Sequence, residues 1–258
     1  MSRKDTLVEA LRLASKEVLL HNPETVDQSA KKNAGDILTA ADLASEKVIV
    51  SKILEDFPDD VVVSEENEDN HGLVVDPSFT GWVVDPIDGT NNFSRGFNYF
   101  GISIGYIENG ASVLGGVIDP NRDDLYLAEK GAGSTCNEIP IHVSLETEFS
   151  FSTRVGCSNS FDPGGKDANM DRMKNLGEIW VDVLGSFTLL VCDVARGRID
   201  FCFHNMSKPW DNAACLLIAS EAGATVTDLE GNPARWAEQE VVIGNRQLVE
   251  EFFRLQNI

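Results

Sequence analysis

Apolar residues recur every three or four positions at Leu7, Leu11, Ala14, Val18 and Leu19, predicting an amphipathic helix over about residues 4–21. The next segment, HNPETVDQSAKKNAGD, is polar with one proline and reads as a loop. A second helical pattern runs from about Ala40 to Asp56, with Leu43, Val48, Ile49, Ile53 and Leu54 as its expected buried stripe and Phe57-Pro58 as its stop. The period then shortens. VVVSEEN reads as a short strand ending in carboxylates, NEDNHG as a polar loop, and GWVVDP as the next strand. FGISIGYI and SVLGGVI are β-type runs joined through Asn109-Gly110, a strong hairpin signal, and DLYLAEKG is a third such run. FDPGGKDANMD, residues 161–171, reads as a loop. Beyond it come a strand at IWVDVLG, a helix at SFTLLVCDVARGR closing at Gly197, and a strand at RIDFCFH. WDNAACLLIASEAGA is a helix stopped by Gly223, ATVTDLEGNPA and VVIGN are late strands, and LVEEFFRLQNI is a terminal helix. Helices and antiparallel runs followed by strand–helix alternation predict an α/β protein with mixed sheets in two abutting halves, about 1–148 and 149–258.

The chain of 258 residues is 42% hydrophobic and 24% charged, the composition of a globular protein able to bury a large core. No apolar run approaches the ~18 residues needed to cross a bilayer. The first residues interleave charge with apolar positions, so neither a signal peptide nor an anchor is expected, and the cytoplasm is the expected location. Cys136, Cys157, Cys192, Cys202 and Cys215 are scattered without a C-x-x-C pair, which suits buried thiols in a reducing compartment. The formal charge of −21 makes nucleic acid and anionic membrane poor partners, since both need a basic face. A phosphate ligand would be repelled as well, unless cations reversed the field locally.

Candidate chemistry concentrates in WVVDPIDGTNNF. Pro86 lacks an N–H and turns the chain as the strand ends, so Asp85 and Asp88 can converge on one point. Two adjacent carboxylates repel unless a cation lies between them, and hard oxygen ligands favour Mg²⁺, Mn²⁺ or Ca²⁺ over zinc. Gly89 and Thr90 follow, where free backbone N–H groups would suit a phosphate. A capped turn, with Asp88 bonding backbone N–H groups, is the structural alternative. Glu65 and Glu66 end an earlier strand, and Asp36, Thr39 and Asp42 stand at the start of a helix, where capping is equally plausible chemistry. Asp211 opens the apolar helix after Trp210, either as an N-cap or as a ligand brought in from the second half.

GDILTAADLASE, SEE, WVVDPIDGTNNF and WDNAACLLIASEAGA occur in an order and spacing that resembles the inositol monophosphatase family of metal-dependent, lithium-sensitive sugar phosphatases. The resemblance implies a single unit over 1–258 and a layered sandwich of helices and mixed β-sheets, as in the inositol monophosphatase and fructose-1,6-bisphosphatase fold. It implies that Glu65, Asp85 and the carbonyl of Ile87 hold a first Mg²⁺. Asp85, Asp88 and Asp211 would hold a second, with Asp85 bridging and Glu65 sharing a third, weaker ion. Mn²⁺ is a possible substitute. The phosphate would lie against Asp88 and the N–H groups of Gly89 and Thr90. Asp42 would bond the Thr90 hydroxyl, which helps orient the attacking water, so Asp42, Glu65 and Thr90 carry the catalytic expectation. The partner implied is a small phosphate ester, and a homodimer is expected.

Specificity departs from the pattern. His204 stands where inositol-cleaving members have an acidic residue seven positions before the W-D aspartate, and imidazole cannot grip two hydroxyls as a carboxylate does. Gly185, Ser186 and Phe187 replace a G-[ST]-A-A stretch with G-S-F-T, so Phe187 narrows the pocket, stacks on a flat group, or packs the helix start. Asp182 occupies a position where many relatives carry arginine. The expected activity is Mg²⁺-dependent hydrolysis of a small polyol or sugar phosphate. Fructose 1,6-bisphosphate, histidinol phosphate, glycerol phosphates and nucleotide 3′-phosphates are alternatives on the same fold. A regulatory protein that binds metal and phospho-ligand without turnover is the non-enzymatic rival. A calcium module lacks the D-x-D-x-D-G spacing.

Overall fold

A computed structural model describes residues 1–30, 37–67, 71–73, 76–157 and 168–257. Ser2 and Asp5 cap one another's backbone to start α1 (Arg3–Val18), whose buried stripe is Leu7, Ala10, Leu11, Ala14 and Val18. Leu19 falls outside that stripe, because the helix ends before it and leaves it 53% exposed. The polar segment after α1 is not wholly a loop: β1 (Gln28–Ala30) pairs antiparallel with β2 (Ile37–Thr39). Asp36 lies outside the described residues. Thr39 caps α2 (Ala40–Asp56), which matches the predicted helix end to end. Its buried face, however, is Ala41, Asp42, Ser45, Ile49, Lys52 and Ile53, while Leu43 and Leu54 are exposed. Lys52 can be buried because Glu9 and Asp56 reach its amine at 3.0 and 3.3 Å, and apolarity alone does not register such pairing.

Seven strands form the first sheet, in the order β3 (Val62–Ser64), β4 (Gly81–Asp88), β5 (Gly101–Glu108), β6 (Ala111–Asp119), β7 (Asp124–Glu129), β8 (Gly133–Cys136), β9 (Ile139–Pro140). Only β3 and β4 run parallel; the rest is an antiparallel meander. The short helix α3 (Thr90–Ser94) follows β4 directly. A second sheet has the order β11 (Trp180–Asp182), β10 (Arg154–Cys157), β12 (Phe201–His204), β14 (Val241–Gly244), β13 (Thr225–Thr227). The segment expected as a loop at 161–171 is helical from its end: α4 (Ala168–Lys174) begins inside it, and residues 161–167 lie outside the described set. The remaining helices are α5 (Phe187–Ala195), α6 (Pro209–Glu221) and α7 (Arg246–Gln256).

Alternation along the strands sets the layers. Trp82, Val84, Ile102, Ile104 and Ile118 face α1 and α2. On the other side, Val117, Tyr126 and Ala128 join α5 and α6 together with Cys202, Val241 and Ile243 of the second sheet. Phe201, Phe203 and Val242 turn outward onto Leu248, Val249 and Phe252 of α7. The result is a five-layer stack, with α5 and α6 clamped between two mixed sheets.

Two glycines let α6 approach the first sheet. A Cβ at Gly105 would lie 2.7 Å from the Cβ of Ala213, and one at Gly115 would lie 2.8 Å from the carbonyl oxygen of Ala214. Gly105→Ala is therefore expected to lower stability by about 1–3 kcal/mol, as overpacking does. Chemical denaturation measures this, and a variant as stable as the parent would show that α6 moves freely on the sheet.

Candidate active site

The β4 strand is buried along its length down to Ile87, and its last residues build the site. Pro86 cannot donate to the ladder, and the pairing slips there: Asp85 opposes Ser103, but Asp88 opposes Gly101, so three steps on β4 match two on β5. That bulge brings Asp85 and Asp88, normally on opposite faces, to the same side. Ser45 of α2 fixes the corner by donating to the Pro86 carbonyl at 2.8 Å.

One carboxylate oxygen each of Asp85, Asp88 and Asp211 lie within 4.8 Å of one another. Each side chain is pinned through a single oxygen. Ile87 N–H donates to Asp85 Oδ1 at 3.1 Å, and Lys208 N–H to Asp211 Oδ2 at 2.7 Å. Asp88 Oδ2 accepts three donors, from Ser186 Oγ, Thr188 N and Thr188 Oγ1, all at 2.6 Å. Among the described residues the second oxygen of each has no protein donor. The structural alternatives from the sequence take another form: Asp88 caps the start of α5 rather than its own turn, and Asp211, three residues after the cap Lys208, is not itself the N-cap but bonds back to it.

Burial first, and then the charges of Glu65, Asp88, Asp211 and Glu66, push the Asp85 carboxyl well above the usual carboxylate range. Asp211 is raised for the same reasons, burial leading and Asp88 and Glu65 adding. Asp88 is raised by burial, partly offset by its bonds from Ser186 and Thr188. Three crowded acids, Asp85 buried and Asp88 and Asp211 half-buried, that resist ionising together are a site short of positive charge. The donor set is all oxygen and preorganised, which fits a hard divalent cation.

The expected auxiliary residues surround the cluster. Thr90 Oγ1 is shared between Asp42 Oδ1 at 3.1 Å and the Ile87 carbonyl at 2.9 Å. Asp42 is fully buried and held by the Thr39 N–H at 2.8 Å and the Thr39 hydroxyl at 2.5 Å. Glu65 stands beside β4, its N–H donating to the Val84 carbonyl at 3.1 Å, yet it is not in the three-carboxylate group. Gly89 has φ +93°, and a Cβ there would meet the Gly185 carbonyl and the Ser186 Cβ at 3.2 Å. Asp182 accepts a two-pronged bond from Arg154, at 3.0 and 2.7 Å.

Residues without a sequence signal of their own also shape the site. Thr188 supplies two of the three bonds to Asp88. Asn92 ties the two halves, its amide donating to the carbonyls of Tyr99 and Leu184 at 2.7 Å. His71 packs on Trp210 with ring centroids 4.6 Å apart. Phe187 stacks on His204, centroids 4.5 Å apart and planes 17° from parallel, and burial pushes the His204 imidazole down to about 4.

A layered fold of this kind, with aspartates converging from a bulged strand and a distant helix, defines a phosphatase scaffold. The chain belongs to the inositol monophosphatase family, whose model matches residues 4–257. It is 33% identical to a Thermotoga maritima protein named fructose-1,6-bisphosphatase/inositol-1-monophosphatase, covering 100% of this chain and 96% of that one. It is 34% identical to the Nus factor SuhB of Vibrio cholerae, covering 87% and 84%. The solved Thermotoga maritima IMPase superposes with a TM-score of 0.86 at 32% identity, covering 100% of this chain and 97% of that one. Inositol monophosphate-bound SaIMPase-II superposes with a TM-score of 0.79 at 26% identity, covering 100% and 93%. Members of the family are metal-dependent, and the expected layered α/β architecture is observed. No helix among the described residues is long and apolar enough to cross a membrane.

Proposed function

We propose that the chain is a Mg²⁺-dependent phosphomonoesterase acting on a small polyol or sugar phosphate. The observation that carries this reading is the trio of convergent, pinned, mutually repelling carboxylates, Asp85 buried and Asp88 and Asp211 half-buried. Glu65, Asp85, Asp88, Asp211 and the Ile87 carbonyl would hold two or three ions, Mg²⁺ or, in its place, Mn²⁺. Such ions, when bound, neutralise the phosphoryl oxygens and make water acidic enough to supply hydroxide near neutral pH. The chain does the positioning. Gly89, left-handed at the entrance to α3, and Thr90 offer N–H groups to the phosphate. The Thr90 hydroxyl, held between Asp42 and the Ile87 carbonyl, aims its oxygen at the attacking water. The inositol monophosphate bound by SaIMPase-II and the name of the Thermotoga relative support this substrate class.

Phosphate release from a panel of polyol and sugar phosphates is expected only with Mg²⁺ or Mn²⁺, and lithium is expected to inhibit it. Release undiminished by chelator would contradict the reading. A homodimer is also part of it. Trp180 and Val181 of β11, an edge of the second sheet, and Val183 just after it are 55%, 42% and 53% exposed, an apolar patch suited to a second copy.

The relatives named Nus factor SuhB favour a second reading, a regulatory role alongside or in place of turnover. Tight binding of metal and phosphate ester with no phosphate released would select it.

A further inference from the structure

The alcohol that leaves can be narrowed further, an inference that rests on the phosphomonoesterase reading. Beside Asp88 and Asp211 lies a cavity of about 100 Å³, walled chiefly by Cys157, Phe187, Leu190 and His204. Phe187 is 7% exposed and embedded in the central core, and its ring lies flat on His204. The pair therefore forms a fixed wall, closed to a flat group that would have to slip between the rings.

Among the described residues that line it, the polar capacity of this wall is small. His204 Nδ1 is buried with no hydrogen-bond partner, so the imidazole has at most one nitrogen to offer a ligand. Ser186 Oγ already donates to Asp88 and accepts from Leu189 N–H. A thiol, such as that of Cys157, bonds weakly. A cyclic hexol would bury several hydroxyls against Phe187 and Leu190 without partners, and unpaired buried hydroxyls are strongly selected against. Glycerol, half the size of a cyclic hexol, brings fewer hydroxyls to this wall.

We propose that the Phe187–His204 wall makes this chain selective for phosphate monoesters of short acyclic polyols, of glycerol size, over those of cyclic hexols. With saturating Mg²⁺, kcat/KM for glycerol 1-phosphate is expected to exceed that for myo-inositol 1-phosphate at least about tenfold. His204→Glu adds an acceptor and Phe187→Leu thins the wall while staying apolar. Each is expected to cut that ratio about tenfold, mainly through a lower KM for the inositol ester. An equal or higher kcat/KM of the unaltered protein for inositol 1-phosphate overturns the proposal and leaves the phosphatase reading standing. So does a ratio that neither substitution moves in folded variants, or release from p-nitrophenyl phosphate alone. No release from any of the three esters overturns both.

Discussion

Asp88→Asn is expected to lower kcat about 10³-fold at saturating Mg²⁺, the scale seen when a preorganised stabiliser of transition-state charge is removed. Geometry makes this substitution harsher than the loss of one charge. Oδ2 of Asp88 is surrounded by three donors, so the amide oxygen of asparagine must take that position. Its NH₂ group is then turned toward the oxygens of Asp85 and Asp211, where a cation would be. A donor that faces a cation repels it. The fold should survive, because the amide oxygen still caps α5. Steady-state kinetics together with circular dichroism check this, and a folded variant retaining more than a tenth of the activity would refute the role given to Asp88.

Asp85→Asn is expected to stabilise the metal-free protein while removing most of its stabilisation by Mg²⁺. Asp85 is 1% exposed, and its carboxyl in the folded chain titrates well above the ordinary 3.8. For an acid shifted upward on folding, the folded state holds the proton more tightly. The penalty is absent below 3.8, grows as pH rises above it, and levels off once pH passes the raised folded value. The metal-free variant should therefore melt higher than the parent at pH 7–8, by roughly 3–10 °C. The gap should close toward pH 4. His204, pushed down by burial, gives the opposite slope below its ordinary range, but it is common to both proteins and cancels in the difference. With Mg²⁺ the order should reverse, since a cation that binds only the folded parent stabilises it by mass action. Equal melting of the two metal-free proteins across this range would mean that the carboxylates do not strain one another.

Local pattern carried much of the fold. The hairpin of β5 and β6 turns at Asn109-Gly110, both with positive φ, as that dipeptide requires. The α2 helix carried its own cap in Thr39 and its own stop before Pro58. What escaped was non-local. Strands β1, β8, β9 and β10 have two to four residues, too few for alternation to register, and exist through their partners. Likewise, Asn and Asp early in α4 look like turn residues when read singly.

The site divides the same way. That two acids end a strand at a proline is visible in six letters, but the bulge that turns them to one side appears only in the register with β5. Asp211 reaches them because α6 sits on glycines of β5 and β6, a packing no segment encodes alone. Thr188 carries no local signal, because its role depends on Asp88, one hundred residues away. The stacking of Phe187 on His204 joins the start of a helix to the end of a strand, so the sequence marked both positions as unusual without linking them.

The central claim is that oxygens from β4 and α6 together hold a divalent cation. Crystals grown with MnCl₂ and inorganic phosphate, measured for anomalous scattering, test it most directly. A manganese peak is expected roughly 2.0–2.4 Å from the unpinned oxygens of Asp85, Asp88 and Asp211, with phosphate beside Gly89 and Thr90. A map with no peak among those three carboxylates, at a metal concentration that supports phosphate release, would contradict it.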